Sequence, residues 1–220
     1  FTSEMSVEDA DKLAENLGIK HSIIPIGEIY DSFQSSLECE FKGLEPDITE
    51  ENLQSRCRGV ILMALSNKSG EIVLTTGNKS ETAVGYSTLY GDTAGGFGVL
   101  KDVPKTLVYE LARYRNTISN VIPERIIERP PSAELAPDQQ DSDSLPDYDT
   151  LDKIIELYVE QDKSKKEIEE SGIESSILNR VIKLIDFSEY KRRQAPLGVK
   201  ITSRGFGKDR RYPITNKFLK

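Results

Sequence analysis

The chain has 220 residues, 37% of them apolar and 30% charged, and a net charge of −8. That balance excludes a disordered chain, and the longest apolar run, GVILMAL at 59–65, is far short of the roughly 20 residues that span a bilayer. Cys39 and Cys57 show no metal-ligand spacing and fit a reducing compartment, so the expectation is a cytoplasmic protein without a membrane partner.

Residues 6–17, SVEDADKLAENL, predict a helix, with Ser6 as cap, Glu8 and Asp9 in the first turn and Gly18 as the stop. Residues 19–26, IKHSIIPI, predict a short strand that Pro25 marks as an edge. Thr49 caps the next predicted helix, 50–66, where Leu53, Cys57, Val60, Ile61, Ala64 and Leu65 recur at helical spacing and imply one buried face. On it Asn52 and Arg56 sit four apart, on one side. A strand over 71–75 follows, and then LTTGNKSETAVGYSTLYGDTAGG at 74–96, rich in glycine and hydroxyls.

Pro104 opens a helix that runs to about Asn116, with Leu107, Val108, Leu111 and Ala112 at helical spacing. Residues 129–149 carry four prolines and six acids, which reads as a solvated loop. Helices over about 150–160 and 175–192 come next, joined by a short helix or turn at 164–171. The end, from Gly198, is basic, broken by glycine and weakly structured. Residues 191–220 hold ten Lys or Arg against Asp209, a net of +9, which leaves −17 on the rest. Such asymmetry points to an anionic partner for the tail: nucleic acid, the acidic body itself, or a phosphorylated small molecule. An acidic body argues against broad nucleic-acid binding.

The order helix, strand, helix, strand, helix implies an α/β fold with a parallel sheet. In such sheets ligands sit where a strand runs into a helix N-terminus. The strand ending at Thr76-Gly77-Asn78 has this form. Gly77 permits close approach of the backbone, and Thr76 offers a hydroxyl and an N–H to a phosphate or ribose. Glu81, in the first turn of the following helix, either complements the helix dipole or holds Mg²⁺ or a ligand hydroxyl. Gly91–Gly96 reads as a helix stop and turn, or as a loop lying close to a ligand. Lys105 is unfavourable at a helix start, which hints at a phosphate to bind. His21, the one histidine, reads as structural or surface, and no Ser-His-Asp or Cys-His arrangement is available. Glu189–Arg193 closes a helix with cations, which suits its dipole or grips an anion. Physics alone reaches an α/β domain that binds a phosphorylated ligand, with Mg²⁺.

Seven ordered stretches carry a sharper resemblance: NLQSR (52–56), LTTGNKSE (74–81), GYSTLYGDTAGGF (85–97), LKDVPK (100–105), RPPSAEL (129–135), SLPDYDTLD (144–152) and EYKRRQAP (189–196). Together they resemble NAD synthetase, closest to the synthetase domain of glutamine-dependent bacterial enzymes. The ammonia-only branch tends to have Asp-His-Ala where this chain has Asn78-Lys79-Ser80. The resemblance implies an adenine nucleotide alpha-hydrolase-like fold of the ATP pyrophosphatase type. It implies ATP-dependent amidation of deamido-NAD through an adenylated nicotinate, Mg²⁺ as cofactor, ammonia from a glutaminase domain, and a homodimer or higher homo-oligomer. By motif, Thr76, Lys105 and Ser132 resemble ATP contacts. Asn52, Arg56, Glu81 and Lys191 resemble deamido-NAD contacts, with Glu81 also on the Mg²⁺ side. The superfamily's Ser-Gly-Gly-x-Asp-Ser loop is absent from the chain, so the expectation is a domain truncated at its N-terminus and a fragment that is inactive by itself. Within it, 1–128 is read as the nucleotide-binding core, 129–149 as an acidic loop, and 150–220 as a helical, basic continuation. Another ATP-dependent amidotransferase of the superfamily is the alternative, though it would not share the LTTGNKSE and RPPSAEL wording. A non-catalytic module whose basic tail binds nucleic acid is a second, marked by salt-sensitive binding.

Overall fold

The computed structural model describes residues 2–136 and 138–215. In chain order the helices are α1 (Glu4–Leu17), α2 (Gly27–Leu37), α3 (Ile48–Ser69), α4 (Lys79–Val84), α5 (Lys105–Ile118), α6 (Glu124–Glu128), α7 (Tyr148–Ile155), α8 (Lys165–Glu169), α9 (Ser175–Phe187) and α10 (Glu189–Arg192). Three two-residue strands, β1 (Leu74–Thr75), β2 (Phe97–Gly98) and β3 (Leu197–Gly198), form one sheet in the order β1-β2-β3. Both pairings are parallel, with Leu74 opposite Phe97 and Phe97 opposite Leu197. The expected α/β fold with a parallel sheet flanked by helices is what the chain adopts.

The predicted strand at 19–26 does not form. Those residues are irregular and α2 follows them, a helix that the sequence reading did not anticipate. Ile23 and Ile24 stay exposed, and strand pairing among the described residues is confined to the three short strands and one isolated bridge between Phe206 and Arg210. A β-branched run without a partner strand leaves its backbone groups to water. The strand expected at 71–75 shrinks to Leu74–Thr75 for a related reason: pairing with β2 extends over two residues.

Helix α3 begins earlier than expected. Asp47, not Thr49, caps it, and Glu50 completes a capping box by accepting from the Asp47 N–H. Its stripe is also not the one expected. Cys57 is buried, but Val60, Leu62, Met63 and Leu65 are exposed, and the inward positions are Gln54, Ser55, Cys57 and Gly59. Polar and small residues face inward because the turn at 88–92 lies directly against the helix. A Cβ on Gly59 would come within 2.7 Å of the Tyr90 carbonyl oxygen, and one on Gly91 within 2.3 Å of Ser55 Oγ. The glycines of the 91–96 stretch are therefore spent on packing against α3 and β1. At Gly95 a Cβ would meet Thr75 at 2.7 Å.

The main apolar core lies in the C-terminal half. Leu151, Ile154 and Ile155 of α7, Ile168 of α8, and Leu178, Val181, Ile182 and Ile185 of α9 pack with Ala83 and Val84 of α4. Helix α7 runs on into a π-turn, Glu156–Glu160, which aims Leu157 and Val159 into the same cluster. The helices expected at 150–160 and 175–192, with a short one between, are thus present. Tyr212 of the tail is buried in this core too.

Candidate active-site cleft

Helix α4 is six residues long; Asn78 caps it, and the three residues that follow fasten it to the rest of the molecule. The Asn78 side-chain oxygen accepts from the Glu81 N–H at 3.0 Å, and Glu81 returns the bond by accepting from the Asn78 N–H at 3.1 Å. Lys79 is fully buried. Its ammonium donates to Glu160 at 2.8 Å, to the Arg204 carbonyl at 2.9 Å and to Thr202, and lies 3.1 Å from Asp102. Ser80 Oγ accepts from the Lys105 N–H at 2.8 Å and donates to Asp152, whose other oxygen receives the Thr106 N–H and hydroxyl. That arrangement caps α5 from outside. Glu81 Oε1 lies 3.1 Å from Lys105 Nζ.

The oddity of a lysine at the α5 N-terminus therefore has a local resolution. Lys105 points away from its own helix dipole, toward Glu81, and its ammonium also sits 5.2 Å from the centre of the Tyr148 ring. Tyr148 donates to Asp141 at 2.6 Å. Asp141, in the loop expected to be solvated, is 4% exposed, which corrects that expectation for this residue. The loop folds inward here because two tyrosines cover its carboxylate. Burial first, and then Asp141, oppose ionisation of both the Tyr86 and the Tyr148 hydroxyls and hold both pKa values above the ordinary range.

Beside this cluster a cleft opens between α4, the 86–93 turn and α10. Glu81, Tyr86, Asp92, Lys101 and Lys191 contribute to its lining. Lys191 Nζ donates to the carbonyls of Gly85 and Ser87 at 2.7 Å each. Burial lowers its pKa, with Asp92 acting in the opposite sense. Burial raises Asp92 in turn, although the Thr88 N–H donates to it at 2.6 Å. Burial likewise lowers Lys101, whose ammonium donates to the Pro196 carbonyl.

The sequence-predicted residues divide into groups. Glu81, Lys105 and Lys191 gather at or beside the cleft. Asn52 and Arg56 both grip the 88–92 turn, Asn52 accepting from the Thr88 hydroxyl at 2.7 Å and Arg56 donating to the Leu89 carbonyl at 3.3 Å. Thr76 is exposed and is not part of the cleft wall. Ser132 is turned into its own loop, where its hydroxyl accepts from the Glu134 N–H at 3.0 Å. The sequence reading did not single out Asp92, Lys101 or Lys79. Lys101 stands in the LKDVPK run and could have been found there, whereas nothing local marks Lys79 as buried.

A family model described as NAD synthase matches residues 1–195. The chain belongs to the NAD synthase family. Its similarity to the glutamine-dependent NAD(+) synthetase of Acinetobacter baylyi is 56% identity over 98% of this chain and 40% of that protein. With the Aquifex aeolicus glutamine-dependent NAD(+) synthetase it is 54% identical over 100% of this chain and 39% of that protein. The chain thus spans about two-fifths of the length of these relatives. Among solved structures, the glutamine-dependent NAD+ synthetase of Acinetobacter baumannii in complex with ADP aligns at 50% identity and a TM-score of 0.59, covering 97% of this chain and 38% of that one. The NMN synthetase of Francisella tularensis aligns at 27% identity and a TM-score of 0.72, covering 86% and 71%.

Proposed function

We propose that this chain carries the amidation step of NAD synthesis: ATP-dependent conversion of deamido-NAD to NAD, with ammonia derived from glutamine elsewhere in the protein. The observation that carries the reading is that Glu81 and Lys191 line one cleft, with Lys105 paired to Glu81 beside it, in a chain of the NAD synthase family. In the first half-reaction an oxygen of the nicotinate carboxylate bonds to the ATP α-phosphorus, and the bond to pyrophosphate breaks. In the second, ammonia bonds to the acyl carbon, the acyl–oxygen bond breaks and AMP leaves. Both steps move negative charge onto a phosphate leaving group, so the protein's contribution is mainly electrostatic.

Lys105 supplies a cation for the ATP phosphates, with Thr76 and Ser132 as the other ATP contacts. Asn52, Arg56, Glu81 and Lys191 serve deamido-NAD, Lys191 at the nicotinate end. Glu81 also fits the family's Mg²⁺. Mg²⁺ is characteristically held by one or two carboxylates together with substrate phosphates and water, and no cluster of three or more His, Cys, Asp or Glu exists among the described residues to hold it otherwise. The ion, when bound, neutralises charge on the departing pyrophosphate. The proposal extends to a homodimeric or larger assembly in the cytoplasm; no helix among the described residues is long and apolar enough to cross a membrane. Nucleic-acid binding by the tail is disfavoured because Arg204 and Arg210 both pair with Asp162, and Lys200 pairs with Asp209.

The test supplies the full-length protein with ATP, Mg²⁺, deamido-NAD and an ammonium salt. NAD and pyrophosphate are expected in equal amounts. Lys105→Ala should lower kcat/KM by about 10²-fold, the scale for losing one preorganised charge-stabilising group. Failure of the unaltered protein to form NAD from ammonia overturns the reading.

A further inference from the structure

The family match ends at residue 195, yet the chain continues as an ordered segment to residue 215. Two separate clasps hold that segment to the body. The polar clasp is built on Asp102, which receives the N–H groups of Ile201 and Thr202 at 2.8 Å each and the Thr202 hydroxyl as well. Lys79 closes it from beneath through Thr202 and the Arg204 carbonyl, and Glu160 accepts from Ser203 at 2.9 Å.

The second clasp is aromatic. The Arg192 guanidinium lies 4.8 Å from the Phe206 ring centre and 5.4 Å from that of Tyr212. The same guanidinium donates to the Ala83 carbonyl at 2.6 Å, to the Ile185 carbonyl at 2.5 Å and to Glu189 at 3.1 Å. Arg192 is 6% exposed. It joins the ends of α4 and α9 to the single turn of α10, and the tail rings complete its enclosure. A four-residue helix has little stability of its own, so its position depends on such anchors. Lys191, the cleft lysine, is the residue immediately before Arg192.

We propose that residues 200–212 form a strap that positions Lys191 in the cleft, with Phe206 and Tyr212 as positioning residues acting through Arg192. The inference rests on the proposed role of Lys191 at the nicotinate end of deamido-NAD. It makes a segment beyond the span of the family model part of the site's construction, although none of its side chains has to touch substrate.

The test compares the Phe206→Ala/Tyr212→Ala double variant with the Phe206→Tyr/Tyr212→Phe double variant in the full-length protein. Hydrogen exchange is read at the α10 amides, with α5 as internal reference, and KM is measured separately for deamido-NAD and ATP. In the alanine variant the strap predicts α10 exchange at least about tenfold faster with α5 unchanged, because local opening reports local anchoring. It also predicts a KM for deamido-NAD raised about tenfold and a KM for ATP within about twofold, a tenfold change being 1.4 kcal/mol. The ring-preserving variant restores the parent values of both. Unchanged α10 exchange overturns the strap, and α5 speeding up together with α10 reduces it to general destabilisation. Faster α10 exchange with an unchanged KM for deamido-NAD overturns the positioning of Lys191. If the unaltered protein makes no NAD, the functional reading has failed, and the exchange contrast alone still decides whether the strap exists.

Discussion

The two halves of the molecule bury their apolar residues to very different degrees. In α7 and α9 the helical stripe is shut away, with Leu151, Ile154, Leu178 and Ile185 all at 0% exposure. In α3 the equivalent apolar residues face outward, Val60 at 65% and Leu65 at 51%, and the inward face is polar. The cleft is walled by α4, the 86–93 turn and α10. Glu81 and Lys191 line it from α4 and α10, whereas Asn52 and Arg56 of α3 lie outside its lining and hold the 88–92 turn beside it. The loosely covered helix thus touches the cleft through that turn.

The contrast can be broken by substitution. The largest effect is expected at Lys79, because removing it leaves Asp102 and Glu160 facing each other without their buried cation. Lys79→Met should cost about 3–5 kcal/mol, the scale for breaking a buried ion pair from one side, read from urea unfolding. Leu178→Ala should cost about 2–5 kcal/mol, since a fully buried leucine leaves a cavity. Val60→Ala on α3 should stay within about 0.5 kcal/mol. Equal costs at Leu178 and Val60 would erase the distinction between the halves.

A smaller effect sharpens the comparison through pH. Burial alone would raise the Asp102 pKa, but the donors from Thr202 and Ile201, together with Lys79, outweigh it and hold the carboxyl below its ordinary 3.8. A depressed acid stabilises the fold above its unfolded pKa, and that contribution is lost as pH falls through the lower folded value. The unaltered protein should therefore lose stability toward pH 3, and Asp102→Asn should lose less over the same interval. Urea midpoints between pH 6 and pH 3 check this, and parallel curves would remove Asp102 from the account.

How much the sequence revealed follows the same division. Helix α9 was legible because its apolar spacing and its burial coincide. The apolar spacing of α3 was equally regular, but spacing reports which residues share a face and not whether anything covers that face. The strand expected at 19–26 failed for a non-local reason, since a strand requires a partner that no single segment specifies. At the site, Glu81 and Lys105 were recognisable one by one from helix starts and motif wording. Their contact across 24 positions depends on the chain's return through β2, and local spacing does not encode it. Lys79 was hidden by its residue type, because lysine is a surface residue unless paired. The tail's sequence predicts weak structure. Its short-range signals, Gly205, Gly207 and scattered charge, say little about Asp102 and Arg192, which hold it; Asn216–Lys220, at the end of that stretch, lie outside the described residues.

The four residues from Asn78 to Glu81 carry a further consequence, which concerns length rather than chemistry. Asn78 caps α4 itself, Lys79 reaches Asp102, Glu160 and the tail, Ser80 reaches α5 and α7, and Glu81 reaches α5, so a substitution at one position leaves most of the other fastenings in place. One additional residue within the group would rotate everything beyond it by about 100° around the helix axis. The cap, the buried lysine, the α5 clasp and the Glu81–Lys105 pair would then fall out of register together. Apart from the buried Lys79, this stretch should accept exchanges of side chain far more readily than any change in the number of residues.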